Sequence, residues 1–252
     1  MTSKSVTERR WQEAQAWEVA LWRDNDRRAD RAGLRGLAGR LIYGRTRDLH
    51  SRFDDWNHWW ALQFEEYGFL PPVVDNYIEV GCGPYTNTRL ILRGRSARHV
   101  VCSDPHALQY ALFKHGWLAQ QYRAAAILLD DHPLEECPFA AGAFDVVVVI
   151  NVLEHVRDAD ACLRTVTRLV KPGGHLILGE DLSNDEDVRN IPYDTGHPIR
   201  LRLDDVEPYL EGYVPLIHKV LPRESGRSPQ CNYATLIFAG RRRGSTRVPD
   251  AT

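Results

Sequence analysis

From Thr7 to about Arg52 the apolar positions Trp11, Ala14, Trp17 and Leu21 recur every three to four residues, the spacing of one face of a helix. Gly33, Gly36 and Gly44 interrupt the arginine-rich stretch that follows, so the helical run is expected to break there. A second run, carrying Trp56, Trp59, Trp60, Leu62 and Phe64, should stop at "GFLPP", because paired prolines cannot continue a helix. Beyond Pro72 the period changes. Short apolar runs, "NYIEVG", "HVVCSD", "AAAILLD", "FDVVVVI" and "GHLILGE", alternate with helical stretches after Thr86, from about Ala107 and from about Asp158. That alternation predicts βαβ units and a mostly parallel sheet. "FDVVVVI" lacks polar alternation, which marks a strand covered on both faces and places it centrally. "YVPLIHKVLPR" and "NYATLIFAGRR" are strand-like with no helix between them, and should pair antiparallel across "ESGRSPQC".

The resulting expectation is an α/β chain with seven strands in all. An N-terminal helical cap or lid occupies 1–72, the sheet domain 73–242, and a frayed tail 243–252. Hydrophobic content of 43% and charged content of 26% are ordinary for a globular chain with a real core. The net charge of -2 hides arginines crowded between Arg23 and Arg52 and between Arg241 and Arg247, and acids between Glu180 and Asp187. It implies no attraction of the whole molecule to nucleic acid. Five cysteines without C-x-x-C spacing argue against a disulfide framework, and no stretch approaches the ~18 apolar residues of a membrane span or a signal peptide. A reduced, cytoplasmic protein without membrane contact is expected.

The chemistry begins at "YIEVGCGPYTNT", where a strand runs into Gly81 and Gly83. The first strand-to-helix turn of such a sheet holds a cofactor, since glycines admit a ligand close to the backbone. A dinucleotide fingerprint would carry a third glycine where this chain has Thr86, which weakens a pyrophosphate reading. Asp104 lies 21 residues beyond Gly83 at the next strand end, where a carboxylate accepts hydrogen bonds from ribose hydroxyls. Glu79 at the strand end would repel a diphosphate and attract an ammonium group. The ligand expected is a nucleoside carrying an amino acid.

In order and spacing over roughly Asn76 to Glu180, "EVGCGPYT", "CSDP", "LLDDHPLEECPFAAGAFDVVVVINVLEHV" and "RLVKPGGHLILGE" resemble the class I S-adenosylmethionine-dependent methyltransferases. The resemblance implies a Rossmann-like fold, with Glu79, Gly81, Cys82 and Gly83 at the methionine end of S-adenosylmethionine. It further implies Asp104 on the ribose, Pro105 beside the adenine, Asp131 or its neighbour Asp130 near the adenine amino group, and Asn151 closing the cofactor floor. "KPGG" reads as a helix exit and tight turn, with Gly173 and Gly174 supplying positive φ, and needs no catalytic role.

A hydroxyl or ammonium acceptor must lose a proton, and histidine suits that task near neutral pH. His155 in "NVLEHV" follows the fourth strand; the resemblance equally supports Glu154 and His155 as a helix-entry pair. His197 in "YDTGHPIRL" lies in the loop after the fifth strand, with Tyr193 and Asp194 as its polar neighbours. The Trp56 to Tyr67 aromatics read as packing or as a lid over the acceptor; the arginine stretch reads as a solvated face or an anion site. No metal ligand set stands out, although Asp181 and Asp185 are close in sequence. The expected acceptor is a small metabolite or glycan taking a methyl group on O or N, and a homodimer is compatible with the chain. The rivals are an RNA methyltransferase using the arginine-rich segment, whose binding would fall steeply with salt, and a protein that binds S-adenosylmethionine without turnover.

Overall fold

The computed structural model describes residues 4–43, 51–230 and 232–244; for 29–43 and 51–55 it describes the backbone alone. The two N-terminal helices are α1 (Glu8–Tyr43) and α2 (Ser51–Gln63), followed by a 3-10 turn over Glu65–Tyr67. The core then runs β1 (Val73–Val80), α3 (Thr88–Ile91), β2 (Ser96–Ser103), α4 (Ala107–Tyr110), α5 (Trp117–Arg123) and β3 (Leu128–Asp130). It continues through β4 (Phe144–Ile150), α6 (Ala159–Leu169), β5 (Val170–Leu182), α7 (Asp185–Asn190), α8 (Leu203–Val206), β6 (Tyr213–Pro222) and β7 (Ala234–Arg242).

One seven-stranded sheet has the order β3-β2-β1-β4-β5-β7-β6. β1 to β5 pair in parallel, and β7 lies antiparallel between β5 and β6. This is the Rossmann-like sheet with the antiparallel C-terminal pair that the pattern predicts. β4 is central and its four valines, Val146 to Val149, are wholly buried. Alternate residues serve opposite faces. Val147 and Val149 pack with Leu163, Val166 and Leu169 of α6, while Val146 and Val148 pack with Trp60, Phe64 and Tyr67 from the N-terminal segment. Each such side chain contributes about 1.5 to 3 kcal/mol by leaving water, so the sheet is held from both faces.

Several expectations need correction. α1 continues through Gly33 and Gly36 to Tyr43, since a single glycine costs a helix only about 1 kcal/mol; Gly44 falls outside the described residues. The helices after Thr86 and from Ala107 are single turns, α3 and α4, with α5 separate. In "KPGG" only Gly173 has positive φ, at +78°. Gly174 is required for space, because a Cβ there would lie 2.9 Å from the Asp145 carbonyl oxygen. The tail from 245 onward and the arginine side chains between 29 and 52 lie outside the described residues.

Strand order reverses between β1 and β4, and the crevice outside their carboxyl ends is where an open sheet of this kind binds ligands. α1 and α2 lie over that edge. A Cβ on Gly179 of β5 would meet the Trp60 ring at 2.6 Å, and one on Gly196 would meet the Trp17 ring at 2.4 Å. Arg10 donates to the carbonyl oxygens of Asp194 and Thr195, fastening α1 to the loop after α7.

Candidate functional site

The turn after β1 is shaped by backbone conformation. Gly81 has φ +62° and Gly83 has φ +53°, values that side chains resist. A Cβ on Gly81 would also meet the Val152 side chain at 2.4 Å. Glu79 holds the following loop: its carboxylate accepts from Asn87 N at 2.9 Å, Asn87 Nδ2 at 3.1 Å, Thr88 N at 2.9 Å, Thr88 Oγ1 at 2.7 Å and the Thr86 hydroxyl. Glu79 is 2% exposed and lines neither cavity, so in this structure its carboxylate orders the loop. Thr86, which stands where a dinucleotide fingerprint has glycine, belongs to this clamp.

Asp104, just past β2, is 8% exposed. Its Oδ2 accepts from Gly83 N at 3.1 Å and its Oδ1 from His106 N at 2.8 Å. Burial, reinforced by the Glu18 charge, pushes its carboxyl up to about 7 against the pull of those two bonds. Asp104, Pro105 and Gly81 line a crevice of about 50 Å³ with His132 and Asn151, and Trp11, Gln15 and Glu18 of α1 form its outer wall. Asp130 is buried at the end of β3, accepting from Ser103 Oγ at 2.7 Å and lying 2.7 Å from His132 Nδ1. Asp131 is exposed and outside the lining, because the chain turns outward after Asp130; His132 reaches the crevice from this end instead.

A second cavity, of about 490 Å³, adjoins the first through Gly81, Asn151, His155 and Glu18. Cys82 and Gly83 form part of its floor, and Trp17, Trp56 and Trp60 its aromatic wall. Trp17 and Leu21, read from the sequence as one face of a helix, are 40% and 39% exposed and line this space. Asn151, just past β4, has φ +59°, a conformation asparagine tolerates better than most side chains. Glu180 fixes the turn beside it, accepting from Val152 N at 3.2 Å and Leu153 N at 3.1 Å. Arg227 reaches in from the β6–β7 loop, donating to Asn151 Oδ1 at 2.6 Å and to the buried Asp181 at 2.6 Å, beneath the Trp56 ring. Asp185 is separate, paired with Arg202 on the surface, so the two acids close in sequence form no common site.

The structure brings the two candidate histidines together, with ring centroids 4.8 Å apart. His155 Nδ1 lies 3.0 Å from the Gly196 carbonyl oxygen, which can only accept, so Nδ1 carries the proton. His197 Nδ1 lies 2.9 Å from Asp194 Oδ2. Glu154, passed over in the sequence as a helix-entry residue, sets Oε1 3.6 Å from His155 Nε2 and 3.7 Å from His197 Nε2. Burial works to lower the pKa of His197, but Glu154 and Asp194 outweigh it and raise it to about 9. Asp194 is driven well below the usual carboxylate range: burial opposes this, and the contacts with His197 prevail. Tyr193 is 60% exposed and turns away from the cavity to donate to Glu13, which removes it from the set expected to meet an acceptor.

Residues 78–178, β1 to β5 with the glycine turn and Asp104, match the model of a methyltransferase domain. That stretch, under half of the chain, is similar to a methyltransferase domain and carries the motifs that resemble the class I S-adenosylmethionine-dependent methyltransferases. It is 29% identical over 141 residues to the ubiquinone biosynthesis O-methyltransferase of Marinobacter nauticus, covering 48% of this chain and 56% of that protein. It is 34% identical over 104 residues to the reducing polyketide synthase Preu2 of Preussia isomera, covering 41% of this chain and 4% of that one. The chain thus spans only part of these relatives. Among solved structures, the N-methyltransferase NodS of Bradyrhizobium japonicum with S-adenosyl-L-homocysteine superposes with a TM-score of 0.54 at 18% identity, over 85% of this chain and 98% of that one. At that identity the likeness is one of fold.

S-adenosylmethionine, the donor implied by that similarity, can be set against the residues present. A carboxylate at Asp104, a floor without side chains at Gly81, and a polar cavity leading away from both suit a nucleoside with an amino acid tail. The crevice at Asp104 has room for only a few waters, and Trp11, Gln15 and Glu18 of α1 form the wall that limits it.

Proposed function

We propose that the protein transfers the methyl group of S-adenosylmethionine to an oxygen or nitrogen of a small metabolite or glycan. The observation that carries this reading is the continuity of the Asp104–Gly81 crevice with the cavity holding Glu154, His155 and His197. Asp104 receives the ribose hydroxyls, the Gly81 to Gly83 turn passes beneath the amino acid tail, and α1 acts as the lid that admits the donor and then excludes water. The bound donor supplies an electrophilic methyl on a sulfonium, a displacement that needs alignment more than charge stabilisation. Trp17, Trp56 and Trp60 supply a rigid apolar wall for the acceptor, and the Glu154–His155–His197 cluster manages the proton of its hydroxyl or ammonium. A cavity of about 490 Å³ is in the range that encloses a small ligand.

Incubation with labelled donor and fractionated cell metabolites tests the reading; label confined to RNA, or no transfer to any fraction, would refute it. Once an acceptor is found, His197→Ala should lower single-turnover transfer at least roughly tenfold, the scale of a lost acid–base group. Its donor affinity should stay within about 0.5 kcal/mol of wild type, as expected of a site removed from the donor. Wild-type transfer by that variant would take the loop out of the site.

A further inference from the structure

We propose that Glu154, His155 and His197 form a site for a divalent first-row transition-metal ion, which holds an oxygen of the methyl acceptor. The inference rests on the reading above that this cavity receives the acceptor, and it narrows the accepting atom to oxygen.

The ligand atoms are already gathered. Glu154, His155 and His197 each offer one ligand atom within 4.8 Å of the other two. Two of the separations are 3.6 and 3.7 Å, whereas ligands bonded to one ion at about 2.0 to 2.2 Å sit roughly 3 to 3.5 Å apart, so the closure needed is small. The second observation is independent of that proximity. A histidine that ligates a metal through Nε2 commonly gives its Nδ1 proton to a carbonyl or carboxylate, which fixes ring and tautomer. Both rings here do so, His155 to the Gly196 carbonyl and His197 to Asp194. Each residue of the trio lines the cavity, so coordination positions opposite the protein ligands would open onto the acceptor's space.

The surroundings favour a cation. Glu18 Oε2 lies 3.8 Å from His155 Nδ1 and Asp194 backs His197, with Arg200 the neighbouring positive group, 3.5 Å from Asp194. Glu154 faces both imidazoles, so its carboxylate would lie against a divalent ion held between them. Two imidazoles and one carboxylate suit manganese, iron, cobalt or zinc better than magnesium or calcium, which prefer all-oxygen sites. An ion there would lower the pKa of a hydroxyl or phenol bound to it, so the trio would act on the acceptor's proton through the ion and not as a direct base. In the transfer the acceptor O–H bond breaks and its proton leaves to water through the cavity mouth. The oxygen pair forms the new O–C bond as the C–S bond breaks, and that electron pair stays on sulfur.

The test is a titration of the untagged full-length protein with Co²⁺, followed by visible absorption and calorimetry, with S-adenosylmethionine binding measured on the same samples. One Co²⁺ per chain is expected, with ligand-field bands, displaced by Zn²⁺ and not by equimolar Mg²⁺. Glu154→Gln, His155→Ala and His197→Ala should each weaken it at least tenfold. Asp194→Asn should weaken it about tenfold to a hundredfold, the range for a partner that orients a ligand. His218→Ala, on the outer strand β6, should leave it unchanged. Donor binding without Co²⁺ binding would overturn the cation site and leave the methyltransferase reading standing. Absence of both would overturn the two together. Undiminished Co²⁺ binding by a folded triple variant of Glu154, His155 and His197 would assign the ion to other surface groups and also overturn the site.

Discussion

The two sides of the crevice are built from different material. On the donor side the working parts are backbone: two glycines at positive φ, the Gly83 and His106 N–H groups that hold Asp104, and strand ends fixed by the sheet register. On the side proposed for the acceptor they are charged and aromatic side chains brought from α1, α2, the turn after β4, the loop after α7 and the β6–β7 loop. The contrast explains how one fold can keep a constant donor while acceptors differ. A backbone cradle at a strand end depends on few residue identities, whereas the acceptor wall can be rebuilt by replacing side chains on peripheral segments without disturbing the sheet.

The difference can be broken from either side, and the largest expected effect is on the acceptor side. Arg227→Met leaves Asp181 buried with only Asn232 and Thr235 for side-chain partners among the described residues, and should cost about 3 to 5 kcal/mol in urea unfolding, the scale for breaking a buried pair. A loss below about 1 kcal/mol would mean that this side does not depend on its buried charges. Next comes Gly81→Val, which meets Val152 and forces a β-branched residue to positive φ. Donor affinity should fall by about 3 kcal/mol, the upper range for overpacking, with the circular dichroism of a folded chain retained. Asp104→Ala should lose about 1.5 to 3 kcal/mol of donor affinity, the worth of bonds to a charged group.

The smallest expected effect concerns pH. The Asp104 carboxyl is raised to about 7 in the free protein, so below that pH it is mostly protonated and must lose its proton to serve as a charged acceptor. Donor affinity measured by calorimetry should therefore weaken as pH falls from 8 to 6, by no more than about tenfold for one unit below the pKa. A flat profile would show that the ribose does not need the charged form.

The sheet and the donor side were legible in the sequence because their signals are local. A strand, a glycine turn and an acid 21 residues later lie on consecutive elements, and "FDVVVVI" announces its own burial. Asp130 and Asp131 could not be separated, since which adjacent acid points inward depends on where β3 stops pairing with β2. The acceptor side was legible only in part. His155 and His197 stood out by chemistry, but their meeting across 42 positions is set by the loop packing on Trp17, and Gly196 gives no hint of that contact. Arg227 carried no signal at all, because an arginine in a polar hairpin loop looks like a solvated charge until the fold delivers it to Asp181, 46 residues away.

The measurement that bears most directly on this division is calorimetric titration of S-adenosylmethionine into the wild-type protein, Asp104→Ala and His197→Ala in parallel. The wild type is expected to bind the donor, with a loss of about 1.5 to 3 kcal/mol at Asp104 and a change within about 0.5 kcal/mol at His197. Equal losses in the two variants, or a folded Asp104→Ala protein that binds the donor as the wild type does, would contradict that expectation.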